Sequence, residues 1–307
     1  MRANTERWRP GLRPVSSTRG LNRVAIATIA LYLAACIPFV LYVEQKGLEG
    51  THGSHEDLAY FAGEYATTLS NQKIRSFHAG FQYFWPFIDK SRVTAELKGL
   101  EKCVPRVPTT PITFNMMCTL AWFVKVNYGM PQAVGIIVCF GALLRSAELV
   151  KVRVCDVIFR EKHIVRTYIR LGSTKNNREQ VAVLEPNSMA ERALRYLLSW
   201  PGVQPFAPCF EIPNYQTLYR YIIEFKQYFR INLHFTPHSL RAGGATNLRL
   251  RGFTHHEICD MGRWEHLGTA KSYVDVVFQA LPETIQLESR VQPNGEYAVS
   301  DILGAEF

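Results

Sequence analysis

Apolar and polar positions divide the chain into stretches of different character. Val24 to Val43 reads VAIATIALYLAACIPFVLYV, twenty residues without a charge. Across 55–72, Leu58, Phe61, Tyr65 and Leu69 recur at helical spacing, and 75–88 is a second, strongly aromatic helical stretch. With 22–46 and a short helix near 91–100, these predict a bundle of about four helices. The aromatic stripe reads as core packing rather than a base-stacking surface. Pro105, Pro108 and Pro111 then punctuate CVPRVPTTPI. Proline lacks the N–H and blocks helix continuation, so 104–112 reads as a semi-rigid linker and a domain boundary.

Beyond the linker, 113–128 and 131–152 read as helices, the second strongly apolar. From 156 to 184, short β-branched runs separated by polar turns predict a small antiparallel sheet. Helical patterns return at 187–200, at 214–230 and from 237 onward. The expected fold class is mainly α with a small antiparallel β-sheet. The expected layout is a flexible arm (1–21), an N-terminal helical domain (22–103), the linker (104–112), a second domain (113–280) and an acidic C-terminal tail (281–307). No Gly-rich phosphate loop and no alternating βαβ series is present.

Two readings of 24–43 compete. Its length and polarity match a transmembrane helix, and the basic flank before it fits a cytoplasmic N-terminus. It also fits a helix of a small bundle, and Thr28, Tyr32 and Pro38 weaken the membrane reading.

With 47% hydrophobic and 20% charged residues, the chain is ordinary globular protein, neither disordered nor collagenous. The net charge of +9 suits a polyanionic partner without naming one. The charge is uneven. Residues 1–23 hold six arginines against Glu6, while 274–307 hold six acids against Arg290. Seven cysteines without a CxxC pair argue against a disulfide framework or zinc ribbon and for buried thiols in a reducing compartment.

The residues that could carry chemistry are unremarkable one at a time. Arg145 and Glu148 lie three apart in RSAEL, on one helical face, where a surface ion pair is the bland explanation. Lys175 sits at a hairpin tip in STKNNRE, where a solvated lysine is common. His238 and Arg241 lie in FTPHSLRAGGAT. Thr236 is a good N-cap and Pro237 a good first helical residue, so both side chains project from the first turn of one helix. Gly243, Gly244 and Ala245 leave one face of that helix small enough for close packing. Thr254 and Glu257 form a capping-box pattern for the next helix. Trp264 and Tyr273 are nine apart.

Taken in order, Arg145, Lys175, His238-Ser-Leu-Arg241, Trp264 and Tyr273 closely resemble the series of the tyrosine recombinase (phage integrase) family. RSAEL is similar to the family's R-x-x-E-L, and HSLRAGGAT to its second box. Lys175 falls on the hairpin where the family keeps a lysine. The step from Trp264 to Tyr273 equals the family's step to its nucleophile. The resemblance covers about 112–280. Residues 22–100 are similar only in outline to the family's N-terminal core-binding (SAM-like) domain. There Thr28, Tyr32, Phe39 and Tyr42 read like its first helix, which favours the bundle reading of 24–43 over the membrane one. The second box is similar to that of eukaryotic retroelement recombinases (DIRS-like or Crypton-like). One departure stands out: the usual Leu-Gly-His is here Gly262-Arg263-Trp264. His266 lies seven residues from Tyr273, not nine, and reads as a surface residue.

The resemblance implies a DNA site-specific recombinase or integrase of a mobile element, working without metal, ATP or another cofactor. Arg145 and Arg241 would hold the non-bridging oxygens of a phosphodiester. Tyr273 would attack, leaving a 3′-phosphotyrosyl intermediate, with His238 as base or proton relay. Lys175 would protonate the leaving 5′ oxygen. Trp264 would pack on the site, and Glu148 would orient the second-box residues. Double-stranded DNA is the implied partner, a homotetramer on paired sites the implied assembly, and a DNA-associated intracellular setting the implied location (the nucleus in a eukaryote, the cytoplasm in a bacterium). Two alternatives remain at this point: a catalytically inactive DNA-binding protein derived from a recombinase, and a type IB topoisomerase-like nicking enzyme.

Overall fold

The computed structural model describes residues 26–47, 71–84, 110–161, 163–173 and 179–268, with Phe61, Glu64, Ala95, Lys98, Gly99 and Lys271. The chain divides into two compact units, Met1–Val107 and Pro108–Phe307.

In the first unit, α1 (Ile26–Gln45) carries Pro38 within it, and α2 (Asn71–Phe84) packs against it. One face of α1 supplies Cys36, Phe39, Tyr42 and Val43 to a core completed by Phe61, Phe77 and Phe81. The Phe39 ring meets Phe61, Phe77 and Phe81 edge-on at 5.2–5.7 Å between centroids, a geometry aromatic quadrupoles favour. Gly80 lets the helices close up, since a Cβ there would lie 2.9 Å from the Cys36 sulfur. The other face of α1 leaves Leu33, Ile37 and Leu41 exposed. By length and composition alone, Thr28–Gln45 is long and apolar enough to cross a membrane. The predicted helices of 55–72 and 91–100 lie almost wholly outside the described residues.

The second unit is built around one strongly apolar helix. Thr113 caps α3 (Phe114–Asn127), its side chain accepting the Met116 N–H, and α4 (Met130–Gly141) follows with Pro131 in its first turn. Every residue of α4 from Ala133 to Phe140 is buried, the mark of a helix that is apolar all round. Three antiparallel strands follow in the order β1 (Val157–Ile158), β2 (Thr167–Ser173) and β3 (Glu179–Leu184). Ile169 pairs with Val157 on one side and Ala182 on the other, and the β2–β3 register shifts between Arg170 and Ser173. The helices α6 (Met189–Leu198), α7 (Tyr215–Tyr228), α8 (Pro237–Leu250) and α9 (His255–Gly262) follow among the described residues. The fold class is the expected one: mainly helical with one small antiparallel sheet.

The pattern misleads at one place. The helix expected over 131–152 is two helices, α4 and the four-residue α5 (Ser146–Leu149). Between them Leu143 takes a left-handed φ of +50°. That conformation costs a branched side chain about 1 kcal/mol or more, yet it sends Leu143 into a buried cluster with Ala245, Leu248, Ile258 and Met261. Burial across the α8–α9 seam outweighs continuation of the helix. The break moves Arg145 from a helical face to the N-cap of α5.

The small-residue face of α8 lies against the backbone. A Cβ on Gly243 would sit 1.8 Å from the Ile112 carbonyl oxygen, and one on Gly244 2.2 Å from that of Phe140. The Ile112 N–H donates to the Ser239 carbonyl at 3.1 Å, and the Thr236 N–H to the Ser239 hydroxyl at 3.0 Å. Close packing and capping together fix where α8 begins.

Candidate active site

Three separate stretches converge where α8 begins: the α4–α5 turn, the first turn of α8 and the residues after α9. Glu148 is the hub. It is only 8% exposed, and its carboxylate meets three arginines. It accepts the Arg145 main-chain N–H at 2.8 Å and the Arg145 guanidinium at 2.6 Å. The Arg263 guanidinium donates to it at 2.8 Å, and the Arg241 guanidinium stands 4.0 Å away. Burial works against the charge of Glu148. Arg263 and then the Arg145 N–H and guanidinium outweigh that penalty and hold the carboxyl below the usual carboxylate range. The hydrogen bonds of Glu148 described here run to Arg145 and Arg263, and its contact with the second box is the ion pair with Arg241.

Arg241 is among the largest fully buried side chains of the described residues, 1% exposed. Its two terminal nitrogens donate to the carbonyls of Leu143 and Gly262. Its guanidinium carbon lies 4.5 Å from the centroid of the Trp264 ring, a cation–π contact in a desolvated setting. The Trp264 ring folds back over Gly262, where a Cβ would meet it at 1.9 Å, so this site for tryptophan requires glycine. Arg145 contrasts with Arg241: its side chain is 44% exposed while its guanidinium reaches Glu148.

His238 keeps an exposed surface. Partial burial, then Arg241, then Arg145 lower its pKa, so the neutral ring is favoured. A neutral imidazole beside two guanidiniums can accept a proton while the cations hold an anion.

The structure thus brings together Arg145, Glu148, Arg241 and Trp264, with His238 within electrostatic reach of both arginines. His266 is exposed, as expected of a surface residue. Lys175 and Tyr273 lie outside the described residues. Among the described residues no cluster of His, Cys, Asp and Glu could hold a metal ion. The thiols nearby are inert, burial pushing Cys139 up to about 12.

The sequence pattern marks Arg263 as a departure from the usual glycine of Leu-Gly-His but gives it no role. A large cation occupies the residue after Gly262, where the chain turns. Arg263 adopts φ +57°, ends α9 through its N–H to the Asp260 carbonyl, and sends its guanidinium to Glu148 and three carbonyls.

Solved structures of similar fold include three recombinase–DNA complexes. The Tn1549 transposon integrase with transposon right end DNA shares 16% identity, with 84% of this chain and 99% of that chain covered and a TM-score of 0.55. The XerH site-specific recombinase in a post-cleavage complex with a palindromic difH substrate shares 14% identity over 86% and 81%, at a TM-score of 0.61. A lambda integrase dimer bound to a COC′ core site shares 11% identity over 83% and 76%, at 0.55. No curated protein matches the sequence. The sequence model of the phage integrase family matches residues 126–280, half of the chain and the span that holds the site residues Arg145, Glu148, His238, Arg241, Arg263 and Trp264. The chain belongs to the phage integrase family of tyrosine recombinases.

Proposed function

We propose that this protein is an active DNA strand-transfer enzyme that cuts and rejoins double-stranded DNA through a 3′-phosphotyrosyl intermediate. The observation that carries the reading is that Arg145 and Arg241 meet at Glu148 from separate stretches of chain, with Trp264 against Arg241 and His238 within electrostatic reach of both arginines. An exposed guanidinium, a buried one and a neutral imidazole form a site suited to a phosphodiester, whose non-bridging oxygens gain charge as phosphorus becomes five-coordinate. Arg145 approaches the phosphate from the open side. Arg241 supplies fixed positive charge behind it, where low polarity strengthens its field.

Tyr273 is the assigned nucleophile. Its oxygen bonds to phosphorus, its proton passes to His238, and the bond to the 5′ oxygen breaks. Lys175 gives that oxygen its proton. The phosphotyrosyl link conserves the energy of the phosphodiester, so rejoining by a second 5′ hydroxyl needs no ATP. Residues 22–103 are assigned as a core-binding domain, with α1 as a bundle helix, and 113–280 as the domain that performs the chemistry. Phosphate contacts by Lys and Arg supply most of the DNA affinity, which falls steeply with salt. DNA as partner is supported by the DNA-bound structures of similar fold. A homotetramer on paired sites and a DNA-associated location complete the proposal.

The test is a suicide-substrate assay on a pool of nicked duplexes. The expected result is a denaturation-resistant protein–DNA adduct that Tyr273→Phe abolishes. DNA binding without an adduct overturns the reading in favour of a binding protein. Relaxation of supercoiled DNA without strand exchange favours a topoisomerase-like enzyme.

A further inference from the structure

We propose that Arg263 is a positioning residue for strand cleavage: its guanidinium ties the segment leading to the nucleophile to the turn that presents Arg145. The inference rests on the assignment of Arg145 and Tyr273 made above and adds a residue to that machinery.

Three observations carry it. First, Arg263 spans the site. One terminal nitrogen donates to the Ala142 carbonyl at 3.3 Å and the Met261 carbonyl at 3.2 Å. The other donates to the Leu143 carbonyl at 3.2 Å and to Glu148 at 2.8 Å. Ala142 and Leu143 belong to the left-handed turn that sets Arg145 at its N-cap, whereas Met261 belongs to the end of α9, twelve residues before Tyr273. A single side chain therefore fixes both. A planar fork with five donors suits this work, and an ammonium does not.

Second, Arg263 is retained against local cost. A non-glycine residue at φ +57° is disfavoured, and its Nε is buried with no hydrogen-bond partner. Its side chain is 8% exposed, too enclosed for a surface cation that contacts DNA. Locally unfavourable choices held in place by their surroundings are characteristic of functional sites.

Third, Arg263 and Arg145 share one carboxylate, the Arg263 guanidinium donating to one Glu148 oxygen at 2.8 Å and the Arg145 guanidinium to the other at 2.6 Å. Glu148 is faced by Arg145 at its own N-cap, Arg241 from α8, Arg263 after α9 and the Cys139 thiol from α4. Without Arg263 the carboxylate loses a charged hydrogen bond that lowers its pKa and takes up a proton more readily.

The experiment compares adduct formation on the nicked-duplex pool by the wild type, Arg263→Gly and Arg263→Lys. Glycine keeps the left-handed backbone without strain and removes only the side chain. The expected rate for Arg263→Gly is roughly ten- to a hundredfold below wild type, the scale of a small misplacement of reacting groups. DNA affinity stays within about threefold, since a buried guanidinium neutralises no phosphate. Arg263→Lys recovers part of the rate, and it carries the test if the glycine variant does not fold. The acid limb of the rate–pH profile moves to higher pH in Arg263→Gly, because Glu148 then protonates earlier. A loss of thermal stability with the wild-type adduct rate and pH profile would overturn the inference and leave Arg263 a structural strut. Absence of an adduct in the wild type itself would instead remove the functional reading, and this inference with it.

Discussion

Two buried glutamates in the second unit each gather arginines, and they differ in what they leave open. Glu191, 1% exposed, accepts the Thr167 hydroxyl at 2.6 Å, the Asn187 N–H at 2.6 Å, and guanidinium contacts from Arg160 at 3.0 Å and Arg195 at 3.2 Å. Burial opposes its charge, but Thr167, Asn187, Arg195 and Arg160 together lower its pKa. Its arginines turn to neighbouring protein: Arg195 lies over the Phe159 ring at 4.4 Å and donates to the Arg160 carbonyl, and Arg160 also donates to Asn187. The cluster staples α6 to the sheet. Glu148 gathers three arginines from three stretches of chain, with a histidine and a tryptophan beside them. A carboxylate ringed by arginines is therefore no functional signature in itself. What marks the Glu148 site is an exposed guanidinium backed by a buried one, next to a proton acceptor.

The largest expected effect separates the two at once. Arg241→Ala should cost about 3–5 kcal/mol in urea unfolding, the scale of breaking a buried ionic network, because it strips a cation from beside Glu148 and leaves the Leu143 and Gly262 carbonyls without that donor. It should also abolish the adduct. Little change in either measurement would mean that the buried arginine is not the keystone described here.

Thr167→Val should be milder and one-sided. The residue is fully buried, and losing its hydroxyl leaves a Glu191 oxygen short of one donor. The expected loss is about 1–3 kcal/mol in the same unfolding experiment, with the adduct rate per folded molecule unchanged. A large fall in that rate would dissolve the distinction between the clusters.

The smallest effect is a pH dependence confined to the Glu148 site. His238 has a lowered pKa in the folded state, so between its folded and unfolded values the unfolded chain binds the extra proton. Stability therefore rises with pH through that window and is lost as pH falls below the ordinary histidine value of about 6.5. Replacing His238 with Gln should flatten the dependence of Tm on pH there, and an unchanged slope would place the titration elsewhere.

Much of this arrangement was legible in the sequence. Thr254 and Glu257 cap α9 reciprocally, with the Thr254 N–H donating to the carboxylate at 2.7 Å and the Glu257 N–H to the hydroxyl at 3.2 Å. Thr236 and Pro237 start α8, and its glycines meet backbone. These features are local, and local chemistry writes itself into short spacings. The break before Arg145 was not legible. The apolar run through Phe140, Leu143 and Leu144 continues a helical pattern, and nothing local signals a left-handed leucine. That conformation is fixed by Ala245 and Ile258, about a hundred residues away. The role of Arg263 was hidden for the same reason: its partners lie across the fold, and its position in the sequence shows only a bulky residue at a turn.

The most direct test sets Glu148→Gln beside Glu191→Gln and measures adduct formation per folded molecule on the nicked-duplex pool. Both substitutions weaken a buried ionic network, so both should lower stability. The account predicts that Glu148→Gln slows the adduct by roughly tenfold or more, as expected when reacting groups lose their placement, while Glu191→Gln leaves the rate unchanged. Equal rates in the two variants, or a selective loss in Glu191→Gln, would contradict it.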